Sequence, residues 1–417
     1  MLYERWGRIA VQFRDEIALR DLAGGRLWTF GELHHLGETW PVPSAPVIYP
    51  QGNQPEFIFT LLAAWRRGKP ACPLETEQTP PAIGALPAGC EHLKITSGTT
   101  GATRCICFTG AQLAADAANI VATMGLRREW PNLGLISLAH SYGFSNLVLP
   151  LLLHGIPLVL VPAPLPEALR QACAKHPDVT VAAVPAMWRA WHEAGALTPA
   201  IRLAISAGAP LPATLERAVF AGTGIKLHNF YGSSECGGIA YDASETPRLD
   251  DALAGTPLRH VTLSVNETGC LTVRSAAVGE TYWPEPAAGL GRGEFVTSDL
   301  VELVGDRVFL RGRASDLINV AGRKLSPATV EQALSRHPAV RDCLVFGVAS
   351  QAADRGEHIV ACVQASRDTT VTELRQFLLA QLPAWQVPRE WQFVASLSAN
   401  QRGKISRAEW RRRYLAR

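Results

Sequence analysis

The sequence predicts an α/β protein: a large multilayer α/β N-terminal domain with a small β-rich subdomain, followed by a small α+β C-terminal domain. Three observations predict it. Short apolar runs alternate with helix-like stretches through most of the chain, the pattern of buried parallel strands joined by helices. From about Leu258 to Leu310 the pattern changes to short strands separated by glycine-rich turns. The last hundred or so residues return to mixed helices and strands.

In chain order, an apolar run at 47–49 precedes a predicted helix over 56–67, and a run at 133–138 precedes another helix. The most apolar stretch, 147–161, is shorter than a bilayer span. It is broken by Pro150, His154, Gly155 and Pro157, so it reads as a buried helix followed by a buried strand. A helix over 166–174, a strand over 179–184, a helix over 187–193 and a strand over Ile201–Ser206 follow. Thr262–Val265 and Cys270–Arg274 are strands of the β-rich part. Helices are expected over Pro327–Ser335 and 371–381, with a strand over 344–348. The boundary falls within 312–315, dividing the chain into 1–312 and 313–417.

Composition narrows the function classes. Of 417 residues, 47% are hydrophobic and 18% charged, which describes a chain that buries a large core and excludes general disorder. A net charge of +3 lacks the basic excess of a nucleic-acid-binding protein, and no segment predicts a membrane span. Nine cysteines show no repeated C-x-x-C spacing. Together with an N-terminus that lacks a signal-like apolar stretch, they point to a reducing cytoplasm. Cys105 and Cys107 would share one face of a strand, either as core residues or as a metal-binding pair. The run Arg411–Arg412–Arg413 reads as a solvated helix face.

The strongest local signal is Thr96-Ser97-Gly98-Thr99-Thr100-Gly101, lying between two strand-like segments. Small hydroxyl residues and glycines let backbone N–H groups and hydroxyls converge on phosphate oxygens. Taken alone, such a turn is equally a plain hairpin, and no Gly-Lys-Ser/Thr follows to make it a Walker loop. Other segments add weight: 228–235 ending in Glu235, Thr297-Ser298-Asp299, 311–324, and Arg402-Gly403-Lys404.

In order and spacing these segments resemble the adenylate-forming superfamily of acyl- and aryl-CoA synthetases, luciferase and peptide-synthetase adenylation domains. The resemblance covers nearly the whole chain, from Trp28-Thr29-Phe30-Gly31-Glu32-Leu33 through Gly68-Lys69-Pro70 to Lys404. It implies ATP-dependent conversion of a carboxylic acid to acyl-AMP, followed by thioester formation. It also implies a mobile C-terminal domain that rotates between the two half-reactions. ATP, Mg²⁺ and a thiol co-substrate, CoA or a phosphopantetheine, are implied with it.

The site residues follow from the same resemblance. Thr96 to Gly101 and Arg104 would hold the phosphates, and Glu235 would be the Mg²⁺ ligand. Asn229, Tyr231, Gly232, Ser233 and Ser234 belong to the nucleotide-binding segment, with the Ser234 hydroxyl reaching the α-phosphate. Gly208, Ala209 and Pro210 would pack on adenine, and Asp299 with Arg313 would hold the ribose. Lys404 would bridge the carboxylate and the α-phosphate. His140 occupies a gate position beside an acyl pocket formed by Tyr142, Gly143, Phe144, Ser145, Gly208, Gly237, Gly238 and Ile239. Asn319 and Gly322 would line the thiol tunnel, and Ser315 stands at the hinge. Taken singly, Glu235 is a solvated turn acid and Lys404 a surface lysine; within the ordered set they read as functional.

No acid occurs over 140–148 to pair with a substrate ammonium, and burying one unpaired is expensive. An aryl or aliphatic acid is therefore favoured over an amino acid. The chain departs from the superfamily pattern at Arg104 (usually lysine), Ser298 (usually glycine) and Ser315 (usually Asp or Lys). Only about twenty residues separate Leu74 from Ile95, so a structural unit is missing there. Two other readings stay open: loading of an acyl carrier protein instead of CoA, and a non-catalytic nucleotide- or acyl-binding relative.

Overall fold

The computed structural model describes residues 2–96, 104–349, 356–366, 368–397 and 406–416. Among them, 14 strands form one long sheet. Its centre is parallel, with neighbours in the order Leu227–Ser233, Ile201–Ser206, Val179–Ala183, Asn132–Gly134, Leu158–Leu160 and Ile17–Asp21. These strands carry Val, Ile, Leu and Ala on both faces and are almost wholly buried, as a sheet covered by helices on both sides requires. The apolar stretch resolves as expected: a helical segment ending at His154, where Gly155 adopts φ 69°, and then the strand Leu158–Leu160. Two helices start on capping boxes, Thr29 with Glu32 and Thr109 with Gln112, which satisfy N–H groups at each helix start.

Two expected strands are shorter than the apolar pattern suggested. Residues 47–49 contribute an isolated bridge between Ile48 and Ala71. The 133–138 run pairs only over Asn132–Gly134, because a tight turn from Leu135 N–H to the Leu133 carbonyl takes the chain out of the sheet towards His140. The glycine-rich region forms its antiparallel strands, Thr262–Val265, Cys270–Arg274, Glu294–Val304 and Arg307–Arg313. They continue the main sheet through Leu253–Pro257 rather than standing apart.

A second sheet holds three strands, Thr281–Trp283, Arg104–Phe108 and His92–Thr96. Cys105 and Cys107 do share a face there, buried with Cys72 and Leu93. No group of three or more potential metal ligands occurs among the described residues. Residues 75–91 contain neither helix nor strand, which is the structural form of the short spacing between Leu74 and Ile95.

Beyond Arg313 a short turn, Ala314–Asp316, leads to the hairpin Ile318–Val320/Arg323–Leu325. The helix Pro327–Ser335 and a three-stranded sheet of Val340–Ala349, Glu357–Ala365 and Glu390–Phe393 follow, with their own core. The helices Val371–Leu379 and Arg407–Leu415 complete this part. Among the described residues no helix is long and apolar enough to cross a membrane.

Candidate active site

The parallel strands deliver the candidate residues to one end of the sheet. From Asn132–Gly134 the chain passes to the strand on one side, Leu158–Leu160, and then to the strand on the other, Val179–Ala183. Strand order therefore reverses at Asn132–Gly134. In open α/β sheets, ligands bind at such reversals, outside the carboxyl ends of the strands. His140 lies just past this strand, Gly208–Pro210 just past Ser206, and Ser234–Glu235 just past Ser233.

His140 caps the short helix Ser141–Gly143, its Nδ1 accepting from the Tyr142 N–H at 3.4 Å. That turn aims the Ser141 hydroxyl at the Ser234 hydroxyl, 2.9 Å away, and so ties the gate segment to the nucleotide segment. A Cβ on Gly143 would lie 1.9 Å from the Ser137 carbonyl oxygen, so no larger residue fits that turn. The Tyr142 phenol runs inward to the Ile205 carbonyl at 3.0 Å and its ring packs on Phe230. Phe144 is buried against His92, and Ile239 is fully buried. These three are packed into the core. Ser145, Gly237 and Gly238 form a different group, gathered around the buried carboxylate of Asp116, which accepts from the Ser145 hydroxyl at 2.6 Å and the Gly238 N–H at 3.1 Å. At Gly237 (φ 70°) a Cβ would overlap that carboxylate, so the glycine is dictated by both backbone and packing.

The residues predicted to bind the nucleotide form two clusters. Asp299, on Glu294–Val304, sits opposite Arg313 in the strand register. Its Oδ1 accepts from Arg313 Nε at 2.9 Å and its Oδ2 from the Tyr231 phenol at 2.6 Å. Burial pushes the Tyr231 phenol well above its ordinary pKa, and the Asp299 charge adds to that. Burial alone would lower the Arg313 pKa; the charge and hydrogen bond of Asp299, with Asp316 and Tyr231, together outweigh it and raise it. The result is a carboxylate held open by two fixed donors, with lone pairs remaining for a vicinal diol. Ser298, next to it, is exposed within a regular strand and has no left-handed φ, so the replacement of glycine is accommodated.

The second cluster is built on Glu235. The Tyr282 hydroxyl donates to its Oε1 at 3.3 Å, and the Arg104 guanidinium lies over the Tyr282 ring, 3.5 Å from its centroid. Arg104 also pairs with Thr96 across the hairpin, where the Thr96 hydroxyl donates to the Arg104 carbonyl at 3.2 Å. Charge, phenol and carboxylate are thus stacked at the base of the loop. Ser97, Gly98, Thr99, Thr100 and Gly101 lie outside the described residues, as does Lys404. A single carboxylate such as Glu235 could hold Mg²⁺, which keeps waters and substrate phosphates as its other ligands.

Some predicted residues are already engaged. The Asn229 amide donates to the carbonyls of Leu253 and Ala254, bracing the antiparallel strand beside it. Gly208 adopts φ 85° where the chain turns after Ser206, and Ala209 and Pro210 follow in that turn. Asn319 accepts the Gly322 N–H at 3.0 Å, and Gly322 has φ 81° with open space where a Cβ would be. Glycine at 322 therefore answers to backbone conformation, not to a close neighbour in this arrangement. Ser315 lies in the turn after Arg313, its hydroxyl on Asp316 at 3.2 Å. None of these three C-terminal residues shares a hydrogen bond with the Glu235 or Asp299 clusters among the described residues.

Sequence reading missed Lys94, Asp116 and Tyr282. The available signal was a charge inside an apolar run: Lys94 within His92–Thr96 and Asp116 within the helix Gly110–Met124. Tyr282 carried no such signal, because only the sheet pairing of Tyr282 with Ile106 brings it to Arg104.

The fold and these clusters define a nucleotide-dependent enzyme of the AMP-forming acid–thiol ligase class. The chain matches the family model described as AMP-binding enzyme over residues 93–286, and that of the AMP-binding enzyme C-terminal domain over 329–404. It is 31% identical over 338 residues to a probable 2-succinylbenzoate–CoA ligase of Mycobacterium tuberculosis, covering 76% of this chain and 83% of that one. It is 28% identical over 356 residues to a feruloyl-CoA synthase of Amycolatopsis, covering 79% and 71%. The chain belongs to the AMP-binding enzyme family. In fold it is similar to ATP-bound MatB from Rhodopseudomonas palustris, with a TM-score of 0.86, 20% identity and 99% of both chains covered. It is similar also to o-succinylbenzoate CoA synthetase from Bacillus subtilis, with a TM-score of 0.84, 20% identity and 97% of both chains covered.

Proposed function

We propose that this chain activates a non-amino-acid carboxylic acid with ATP and passes the acyl group to CoA. A carboxylate is a poor acyl donor because its leaving group would be oxide. Attack of its oxygen on the α-phosphorus expels pyrophosphate and leaves an acyl-AMP, from which a thiol displaces AMP with loss of its proton. The observation that carries this reading is the Tyr231–Asp299–Arg313 cluster, a prearranged diol acceptor at the carboxyl end of the sheet.

Around it the roles divide. Thr96 to Gly101 and Arg104 hold the phosphates, and Ser234 addresses the α-phosphate. Glu235 would hold Mg²⁺, which supplies charge neutralisation among the phosphate oxygens. Lys404 stabilises the negative charge that grows between carboxylate and α-phosphate. Residues 1–312 and 313–417 act as two domains that swing about Ser315, exchanging Lys404 for the thiol approach along Asn319 and Gly322. The nine cysteines without paired spacing support a reducing compartment, and we place the enzyme in the cytoplasm.

The test is acid-dependent pyrophosphate release with Mg-ATP across benzoates, cinnamates, fatty acids and amino acids, followed by addition of CoA to the best acid. Lys404→Ala is expected to lower acyl-AMP formation by ~10²–10³-fold while thioester formation from supplied acyl-AMP persists. Equal loss of both half-reactions would overturn the division of labour. Acyl-AMP formation that CoA cannot discharge, and a carrier-protein phosphopantetheine can, would move the acceptor to a carrier protein.

A further inference from the structure

We infer that Lys94, together with Asp116 and Ser145, reads a hydroxyl group on the acid substrate at the end remote from its carboxylate. This rests on the acid-activation reading above and deepens it.

Lys94 lies two residues before Thr96, on the strand that leads into the phosphate loop, and is 5% exposed. An ammonium carries three N–H donors. Among the described residues, those of Lys94 meet the Ser145 hydroxyl at 3.5 Å, the Asp116 carboxylate at 3.9 Å and the Phe108 ring, 4.6 Å from its centroid. Among the described residues no acceptor stands at ordinary hydrogen-bond length from the Lys94 ammonium. Asp116, in contrast, is well served by Ser145 at 2.6 Å and the Gly238 N–H at 3.1 Å. The under-used member of the pair is the cation. Burial accordingly lowers its pKa, and the Asp116 charge offsets only part of that. Lys94 also lines, with Glu75, Ala139, His140 and Ser141, a small cleft of about 30 Å³ beside the phosphate hairpin. Lys94 thus borders that cleft, and its ammonium approaches Ser145 of the group assigned to the acyl pocket.

Charge selects the ligand. Lys94 and Asp116 together are neutral and Glu75 already adds a carboxylate to the cleft, so a second substrate carboxylate or a sulfonate would bring further uncompensated negative charge, which is costly. A substrate ammonium would face Lys94 directly. A hydroxyl brings no charge and uses both sides of the site: its oxygen accepts a Lys94 N–H, and its own O–H donates to Asp116 Oδ2 or Ser145 Oγ. An acid with hydrogen in place of the hydroxyl would leave the ammonium without its acceptor.

The test compares acids of one skeleton in the full-length enzyme with Mg-ATP, reading kcat/KM for pyrophosphate release. The pairs are 4-hydroxycinnamate with cinnamate, 4-hydroxybenzoate with benzoate and 16-hydroxyhexadecanoate with hexadecanoate; 4-carboxycinnamate is the dianion. The wild type is expected to favour the hydroxylated member of its best pair by about 10²-fold or more, the scale of losing a buried hydrogen-bonding partner. Lys94→Met should collapse that ratio to within a few-fold by improving the unsubstituted acid and weakening the hydroxylated one. Lys94→Met combined with Asp116→Asn keeps the site neutral should the single variant fold poorly, and should show the same collapse.

A wild type that activates the plain acid as well as the hydroxylated one, or prefers the dianion, overturns the inference and leaves acid activation intact. So does discrimination that survives in either variant. Silence across every acid despite ATP binding overturns the acid-activation reading, and this inference with it.

Discussion

Two buried charge clusters, one around Lys226 and one around Lys94, are built to opposite standards. In the first, Lys226 sits 2.5 Å from Glu216 and 2.6 Å from Asp242, and Arg248 meets Glu216 at 2.8 Å. Backbone and side-chain partners complete it: Lys226 on the Leu227 carbonyl, Arg248 on those of Leu211 and Leu253, and Ser244 on Asp242. In the second, Lys94 and Asp116 stand 3.9 Å apart. Both clusters are net neutral and both are almost fully buried. The first joins the helix Ala213–Thr223 to the far ends of the antiparallel strands whose near ends carry Glu235. Its saturation is what a structural staple needs. The second faces the cleft that borders the gate residue, and its loose cation is what a binding site needs. Distance and saturation, more than burial, separate scaffold from site.

The largest expected consequence is in stability. Lys226→Met leaves Glu216 with Arg248 alone and Asp242 with no cation among the described residues, and should cost about 3–5 kcal/mol in denaturant unfolding, the scale for removing one partner of a buried pair. Lys94→Met combined with Asp116→Asn should cost only about 1 kcal/mol, because it removes the loose pair without leaving a buried charge uncompensated. Equal losses from the two variants would erase the distinction. A third effect belongs to the first cluster alone. Burial by itself would raise the Asp242 pKa, but Lys226 and Ser244 outweigh it and hold the carboxyl below its ordinary 3.8. A depressed folded-state pKa contributes stability that is present above pH 3.8 and is lost as pH falls through the folded value. Asp242→Asn should flatten that acid limb of the unfolding curve.

The same contrast marks how far the sequence could be read. The α/β alternation was legible because buried parallel strands are apolar along their whole length, as in Val179–Ala183 and Ile201–Ser206. Helix Pro327–Ser335 was legible from its proline start. The nucleotide residues were legible because Asp299, Arg313 and Glu235 sit in short ordered motifs. The spurious length of the 133–138 strand has a physical cause: Leu135, Ile136 and Leu138 stay buried in the core after the chain leaves the sheet, so in sequence they look like residues inside it. Lys94 and Asp116 were unreadable as a pair because 22 positions apart, on a strand and a helix, nothing local couples them; only the packing of Gly110–Met124 against the site does. The staple was hidden for the same reason, its four charges being scattered over 216–248.

The smallest expected effect is a slope on the alkaline side, and it isolates the loose cluster. Burial lowers the Lys94 pKa in the folded protein below its ordinary 10.5, while the unfolded chain keeps the ordinary value. Between those two values the unfolded state binds more protons than the native state. Stability therefore gains a positive contribution from this group as pH rises through that window. At neutral pH the charged, poorly solvated ammonium is a burden on the fold; once deprotonated it is not. The stability of the wild type relative to Lys94→Met should accordingly improve from pH 7 towards pH 10 in urea unfolding, against a background of other titrations common to both proteins. A difference independent of pH, or one that shrinks as pH rises, would mean that Lys94 is as well compensated as Lys226 and that the cation has no unmet demand for a substrate oxygen.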